Sequence, residues 1–172
     1  MRSFKKPAPA PAPDDGTIYA AFIKSLQDHE QDRKSVLEAK ATAVVTTSGT
    51  LVTLLFGLVA AVTAATNFKL PEVSHGWLIA AVILFVIATG LGVATANIPV
   101  PYGEATFQAN QLKEAWGQPA GAARLNVAEA QLQLIPIAAR KNDLKAKLVM
   151  LATSTELLAL GALAIAVILI LL

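Results

Sequence analysis

The chain has 172 residues, of which 55% are hydrophobic and 15% charged, and its mean hydropathy is +0.55. A water-soluble domain carries more charge, about 25% by the usual fraction, and interrupts its apolar segments more often. Cys is absent, which excludes a disulfide framework, a thiol nucleophile and a cysteine metal site. The composition therefore predicts an integral membrane protein, because the residues outside the apolar segments are too few and too polar for a catalytic domain.

Three apolar segments, 41–66, 77–97 and 148–172, are long enough to cross a bilayer as helices. A helix rises about 1.5 Å per residue, so a segment of this kind matches a hydrocarbon core of roughly 30 Å. We predict an all-α integral membrane protein with three transmembrane helices and a cytoplasmic amphipathic helical bundle.

Lysine and arginine are distributed very unevenly around these segments. Seven precede the first span and six lie between the second and third, whereas Lys69 alone lies between the first and second. The positive-inside rule places the N-terminus and the 98–147 segment in the cytoplasm. The 67–76 turn and the C-terminus are then external, which is the parity that three spans require.

The N-terminal part divides into a tail and a helix. Residues 1–16 are rich in Pro and Ala, which favours an extended, disordered tail and not a signal peptide. Residues 17–40 follow N-cap chemistry and predict an amphipathic helix running into the first span. Its apolar stripe either lies on the membrane surface or packs on the other cytoplasmic helix; a mixed polar face favours packing. The stripe comprises Tyr19, Phe22, Ile23 and Leu26.

The 98–147 segment predicts two further helices, divided at residues 117–119. Pro136 lies within the second pattern and is expected to kink or interrupt it near Ile135. A basic group then leads into the third span and is interpreted as a stop signal and a contact for anionic lipid, with nucleotide capture as the weaker alternative. This group consists of Arg140, Lys141, Lys145 and Lys147.

Small side chains recur at four-residue spacing in the first two spans. Because the hydrophobic effect does not drive helices together within lipid, close approach through small residues must do so, and these rows predict helix-packing faces and a tight antiparallel hairpin. The first row is Gly49, Thr53, Gly57, Ala61 and Ala65, and the second is Ala88, Gly92 and Ala96.

Glu156 is the one ionisable residue within the three apolar segments. At membrane depth it would cost roughly 2.5–3.5 kcal/mol on insertion scales without water or a partner. It is either a pore-lining or proton-binding carboxylate, or an acceptor for the hydroxyls of the first span. Alternatively the third span begins near Leu157, which leaves Glu156 at the headgroup boundary.

No pattern in the chain supports catalysis. The acidic and histidine residues of 28–32 are better read as a solvated helix face than as a metal site, because too few ligands are close in sequence. His75 is interpreted as an interface residue. Neither a nucleophile motif nor a phosphate-binding glycine loop is present. We therefore predict a non-enzymatic protein that needs no cofactor or metal.

Two stretches together suggest a family. EQDRKSVLEAKA at 30–41 precedes the first span, and ARKNDLKAK at 139–147 precedes the last. This arrangement resembles the membrane modules of bacterial small antiphage effectors of the Pycsar-effector (PycTM) and SLATT types. The resemblance implies a bacterial inner-membrane location, oligomerisation, and impairment of that membrane after a cyclic-nucleotide signal. The chain has no separate sensor domain for such a signal.

The leading functional hypothesis is a self-associating inner-membrane protein that perturbs the membrane or conducts across it. Its expected partners are membrane lipids and further copies of itself, and no nucleic acid is expected. The alternative is an accessory or scaffold subunit of a larger membrane complex. A small transporter is a weaker interpretation, because no span is broken at its midpoint.

Overall fold

The described part of the chain, residues 15–66, 71–100 and 120–171 of a computed structural model, consists of three helices with short flanking segments. Helix α1 is Asp15–Thr66, α2 is Glu72–Ala96 and α3 is Ala120–Leu171. The prediction of an all-α fold is confirmed. All three helices are long and apolar enough to cross a membrane. Residues 1–14 of the proposed tail, the tip of the external turn and the first helix of the 98–147 segment lie outside the described residues. Asp15 and Gly16, which are predicted to end the tail, instead begin α1.

The start and end of α2 follow from its flanking residues. Pro71 stands immediately before the helix, and its carbonyl accepts bonds from the backbone N–H of Ser74 at 3.0 Å and from the Ser74 hydroxyl at 2.7 Å. At the other end the Asn97 N–H donates to the Val93 carbonyl at 3.1 Å. The chain then reaches Pro99, which has no N–H to continue the helical ladder.

Helix α3 is not interrupted at Pro136, so an interruption near Ile135 is wrong, whereas a kink there stays a prediction. A proline inside a helix removes the bond to the carbonyl four residues earlier, here that of Leu132. Pro136 and Leu132 are both exposed, so the freed carbonyl lies on a face where water can bond to it. The loss of one bond is therefore tolerated without ending the helix.

The chain forms two compact units. One contains residues 1–31 and 101–138, and the other contains 32–100 and 139–172. Within the first unit Ile23 and Ala138 are buried, whereas Tyr19 and Phe22 of the predicted apolar stripe are 68% and 60% exposed. The pairing of cytoplasmic helices into a bundle stays a prediction.

The second unit packs parts of all three helices around a narrow core. From one packed cluster to the next along this core, residue numbers rise on α1 and α3 and fall on α2. Helices α1 and α3 are therefore parallel, and α2 is antiparallel to both. The buried positions advance by steps of three or four residues, which is the spacing of left-handed helix packing. These positions are 37, 41, 44 and 48 on α1, then 81, 85, 88, 92 and 95 on α2, and 145, 149, 152, 155, 159, 162 and 166 on α3.

Candidate functional site

Glu156 lies level with the middle of α2. Val44, Ala88 and Ala152 form one packed layer of the second unit. One helical turn farther along each helix, about 6 Å, this layer is followed by Ser48, Leu84 and Glu156. Leu84 is twelve residues from each end of α2. Any membrane that α2 crosses symmetrically would therefore place Glu156 near its midplane and not at its boundary.

The carboxylate of Glu156 is bonded to α1. Ser48 is fully buried, and its hydroxyl donates to Oε1 of Glu156 at 3.1 Å. This is the arrangement expected of a carboxylate that accepts from a first-span hydroxyl. Glu156 itself is only half-buried, so its side chain is partly accessible from outside the core.

A groove between α1 and α3 leads to Glu156. Its volume is about 640 Å³, and its walls are mostly apolar, with Leu37, Ala43 and Val44 on the α1 side. Lys40 stands near its start, whereas Thr47, Thr153, Ser154 and Glu156 make its far end polar. The groove is thus open on the outside of the second unit, and one of its ends is polar.

Several hydroxyls on α1 and one in the groove wall on α3 bond to their own helix. The hydroxyls of Thr42, Thr46, Thr50 and Thr53 on α1, and of Thr153 on α3, each donate to the carbonyl four residues earlier. A hydroxyl oxygen keeps acceptor capacity after donating one bond. These side chains therefore add polarity to an apolar surface without leaving an unpaired donor.

An ionic layer joins α1, α3 and the end of α2. The fully buried Lys145 Nζ donates to Oε1 of Glu38 at 2.5 Å, and Glu38 is 35% exposed. Arg33 donates to Asp143 at 2.6 Å nearer the surface. Lys141 Nζ donates to the Pro99 carbonyl at 2.7 Å.

This layer corrects the interpretation of the basic group as lipid contacts. Lys145 is inaccessible to a lipid headgroup, because it lies inside the unit and faces Glu38. Lys141 is half-buried and bonded to a backbone carbonyl. Arg140 and Lys147 are exposed and keep the geometry that a lipid contact needs.

The two rows of small residues differ in what they contact. On α2, Ala88 and Gly92 are buried, and a Cβ added at Gly92 would lie 2.7 Å from Cγ2 of Val45 and 3.0 Å from the carbonyl oxygen of Ala41. Only glycine therefore permits this approach of α2 to α1. Ala96, at the end of the row, is exposed.

Among the described residues, Gly49, Thr53, Gly57 and Ala61 of the row on α1 show no packing contact. Gly49 and Gly57 have nothing within 4 Å of an added Cβ, and Thr53 and Ala61 are exposed. Ala65 belongs to the same helix, but its side chain lies outside the described part. In the hairpin of α1 and α2, Gly92 faces Ala41 and Val45 of α1 instead. Contact of the α1 row with another protein stays a prediction.

Sequence analysis missed the corresponding seam on α3. Ala152, Ala159 and Ala166 are all fully buried and recur every seven residues. Ala162 and Thr155 are also buried between them. The seven-residue alanine repeat was readable in the sequence, but leucines and isoleucines surrounding it on all sides obscured which face was the packing face.

No metal or catalytic arrangement is found among the described residues. No three His, Asp or Glu side chains there are grouped so that they could hold a metal ion. His75 lines an apolar groove of about 410 Å³ beside Leu55 and Phe56. Comparison with protein-family models, characterised proteins and solved structures gave no match.

The Ser48–Glu156 bond predicts a measurable coupling between α1 and α3. We expect Ser48→Ala to lower the free energy of unfolding by about 1 kcal/mol, a typical value for an interhelical hydrogen bond among apolar helices. SDS-titrated unfolding in mixed micelles, followed by circular dichroism, measures the change. A double-mutant cycle with Glu156→Ala should return a similar coupling energy.

Thr50→Ala is the matched control for this bond, because the Thr50 hydroxyl is exposed and bonded to its own helix. It should change stability by less than about 0.5 kcal/mol. Equal losses in Ser48→Ala and Thr50→Ala would contradict a specific role for the interhelical bond.

Proposed function

We propose that this chain is a non-enzymatic, multi-pass protein of the bacterial inner membrane that self-associates and perturbs the membrane or conducts across it, as an antiphage-type effector would. The observation that carries the proposal is the position of Glu156. It is a half-buried carboxyl group at the level of the middle of α2, at the end of an open groove.

An ionisable group at this level needs more than Ser48. On insertion scales such a group costs roughly 2.5–3.5 kcal/mol at the centre of a bilayer unless it meets water or a partner. Ser48 supplies one hydrogen bond, to one of the two carboxylate oxygens. Association of several copies would cover the groove or enclose water in it, and either outcome lowers this cost.

The directions of the helices fit the proposed topology. Helices α1 and α3 run parallel in the second unit, and α2 runs against them. Three consecutive membrane crossings would alternate in direction in the same way, with the N-terminus in the cytoplasm and the C-terminus outside. The ionic layer of Glu38 and Lys145 would lie at the cytoplasmic end, where positive charge is favoured.

A second candidate function is supported by the first unit. Ile18, Tyr19 and Phe22 are exposed at 61%, 68% and 60% on consecutive turns of α1. An accessory or scaffold subunit would use such side chains to bind another protein. The two functions differ in what accompanies the chain when it is extracted from a membrane.

Native mass spectrometry of tagged protein, gently extracted from the bacterial inner membrane, tests the proposal. We expect a defined homo-oligomer with bound lipid. A single copy within a mass that requires other proteins would favour the accessory subunit, above all if Tyr19→Ser with Phe22→Ser releases the partner. A monomer without partners would contradict both functions.

Ion leak gives a second readout of the same proposal. Liposomes containing the oligomer should release a trapped fluorescent ion indicator, and Glu156→Leu should change the rate several-fold. Thr50→Leu, which alters an exposed hydroxyl one helical turn from the groove, is the matched control. Identical leak from both variants and from protein-free liposomes would exclude conduction.

A further inference from the structure

We infer that the groove between α1 and α3 is the docking site for helix α1 of a second copy of this chain, whose Thr46 completes the surroundings of Glu156. This inference rests on the proposed self-association and names the two surfaces that would meet. The groove then has a single occupant.

The groove favours an occupant with small, mildly polar side chains. It lies between α1 and α3, and its far end is formed by Thr47, Ser154 and Glu156. A helix rich in large apolar side chains would cover the carboxyl group without offering it a hydrogen bond. A helix face of small and hydroxyl side chains can approach closely and also bond to it.

Helix α1 presents such a face on its outer side. Six exposed residues recur there at alternating steps of four and three, the same repeat that packs the helices of the second unit. None has a side chain larger than threonine. They are Ser35, Ala39, Thr42, Thr46, Gly49 and Thr53.

Depth and side-chain chemistry together select Thr46 as the residue that meets Glu156, because Thr46 is the hydroxyl residue of the row nearest to that level. Copies related by rotation about an axis along the membrane normal keep every residue at the same depth. Since Val44 is level with Ala152, Thr46 is level with Ser154 and lies within half a turn of the level of Glu156. The Thr46 oxygen keeps acceptor capacity, and its hydroxyl can exchange its internal bond for one to the carboxylate.

The two surfaces do not face each other across one two-fold axis. At about 100° per residue, the outer row and the groove side of α1 are separated by roughly two-fifths of a turn. Each copy would therefore offer the row to one neighbour and the groove to another. A contact of this head-to-tail kind, repeated about one axis, closes into a ring when the rotation permits.

Cysteine crosslinking tests the inference directly, because the chain contains no Cys of its own. Thr42 and Met150 are level by the same alignment, Thr42 in the row and Met150 in the groove wall. Two differently tagged copies, Thr42→Cys and Met150→Cys, are produced together and oxidised in isolated membranes with Cu(II)-phenanthroline. We expect a disulfide between the two tags.

The matched control pairs Thr42→Cys with Gly90→Cys, which is exposed at the same level on α2 with open space around it. No disulfide should form in that pair. A disulfide in membranes containing Thr42→Cys alone would indicate a two-fold contact and overturn the inference. The absence of any disulfide in protein that native mass spectrometry finds oligomeric would also overturn the inference. In both of these cases the proposed self-association would still hold, whereas a monomeric protein would contradict both the inference and the proposed function.

Blocking the groove gives an independent test. Ala43→Trp places a large ring in the groove wall, whereas Ala94→Trp places the same ring on an exposed face of α2. We expect loss of the oligomer with the first variant and its retention with the second, with equal helicity in both. If Ala43→Trp keeps the oligomer and instead releases a bound phospholipid from the native mass spectrum, the groove binds lipid and the inference is wrong.

Discussion

Glu38→Ala is expected to lower the free energy of unfolding by about 3 kcal/mol. The variant would leave Lys145 charged, fully buried and without its carboxylate partner, and removal of one member of a buried ion pair costs about 3–5 kcal/mol. The low end of that range applies because Glu38 is 35% exposed. SDS-titrated unfolding in mixed micelles, followed by circular dichroism, measures the loss.

Two further variants distinguish the effect of losing the ion pair from the effect of losing side-chain volume. Replacing both partners, Glu38→Leu with Lys145→Met, should recover most of the stability, because an apolar pair of similar volume is often neutral or better. Asp143→Ala should cost less than about 1 kcal/mol, since the Arg33–Asp143 pair is more exposed than Lys145. An Asp143→Ala loss as large as that of Glu38→Ala would contradict the assignment of Lys145 as the buried partner.

Gly92→Leu is expected to separate α2 from α1 and abolish folding of the second unit. Even the Cβ of alanine would lie 3.0 Å from the Ala41 carbonyl oxygen, and a backbone atom cannot move aside as a side chain can. Overpacking of a closed contact costs about 1–3 kcal/mol for small insertions. Gly92→Ala should therefore lower stability by about 2 kcal/mol, as measured by SDS-titrated unfolding.

Gly90 provides the control for this prediction within the same helix. It lies two residues from Gly92 and has nothing within 4 Å of an added Cβ. Gly90→Ala should raise stability by up to about 1 kcal/mol through helix propensity. Gly57→Leu should likewise leave the monomer folded, because its surroundings are open. Destabilisation by Gly90→Ala comparable to that by Gly92→Ala would show that glycine is needed for backbone reasons and not for packing.

The contrast between Gly57 and Gly92 also guides functional experiments. A substitution at Gly92 would change activity through loss of the fold, whatever the protein does. Substitutions at Gly49 and Gly57 alter an exposed face and leave the contacts within the chain intact. A membrane phenotype that Gly49→Leu abolishes without loss of helicity would therefore report an intermolecular contact.

The described helices could be predicted from sequence to different degrees. The apolar segment 41–66 and residues 148–171 of the third segment fall within α1 and α3, because uninterrupted apolar length is a local property of the chain. The continuity of α3 through Pro136 could not be predicted, because a proline inside a helix either kinks it or breaks it, and the local sequence does not decide between the two.

The candidate site could likewise be predicted only in part from the sequence. A carboxyl group in an apolar segment made Glu156 a candidate, and nearby hydroxyls on the first span made a bond to one of them an explicit alternative. Which hydroxyl bonds to it depends on the register of α1 against α3, which follows from packing at Val44 and Ala152. The same register places Lys145 beside Glu38, residues that are 107 positions apart in the chain.

By itself, the sequence determined the helical class, the three membrane-length segments and the asymmetry of positive charge, because each depends on composition along a single stretch. Tertiary structure alone decided which small residues pack and which lysine is buried, since small residues look equivalent until a second helix approaches. A Cβ added at Gly92 would meet the backbone of Ala41, whereas one added at Gly49 would meet no described atom within 4 Å, although both glycines follow the same four-residue pattern. The physical reason is that a helix has one packed side, and its direction is set by the partner helices.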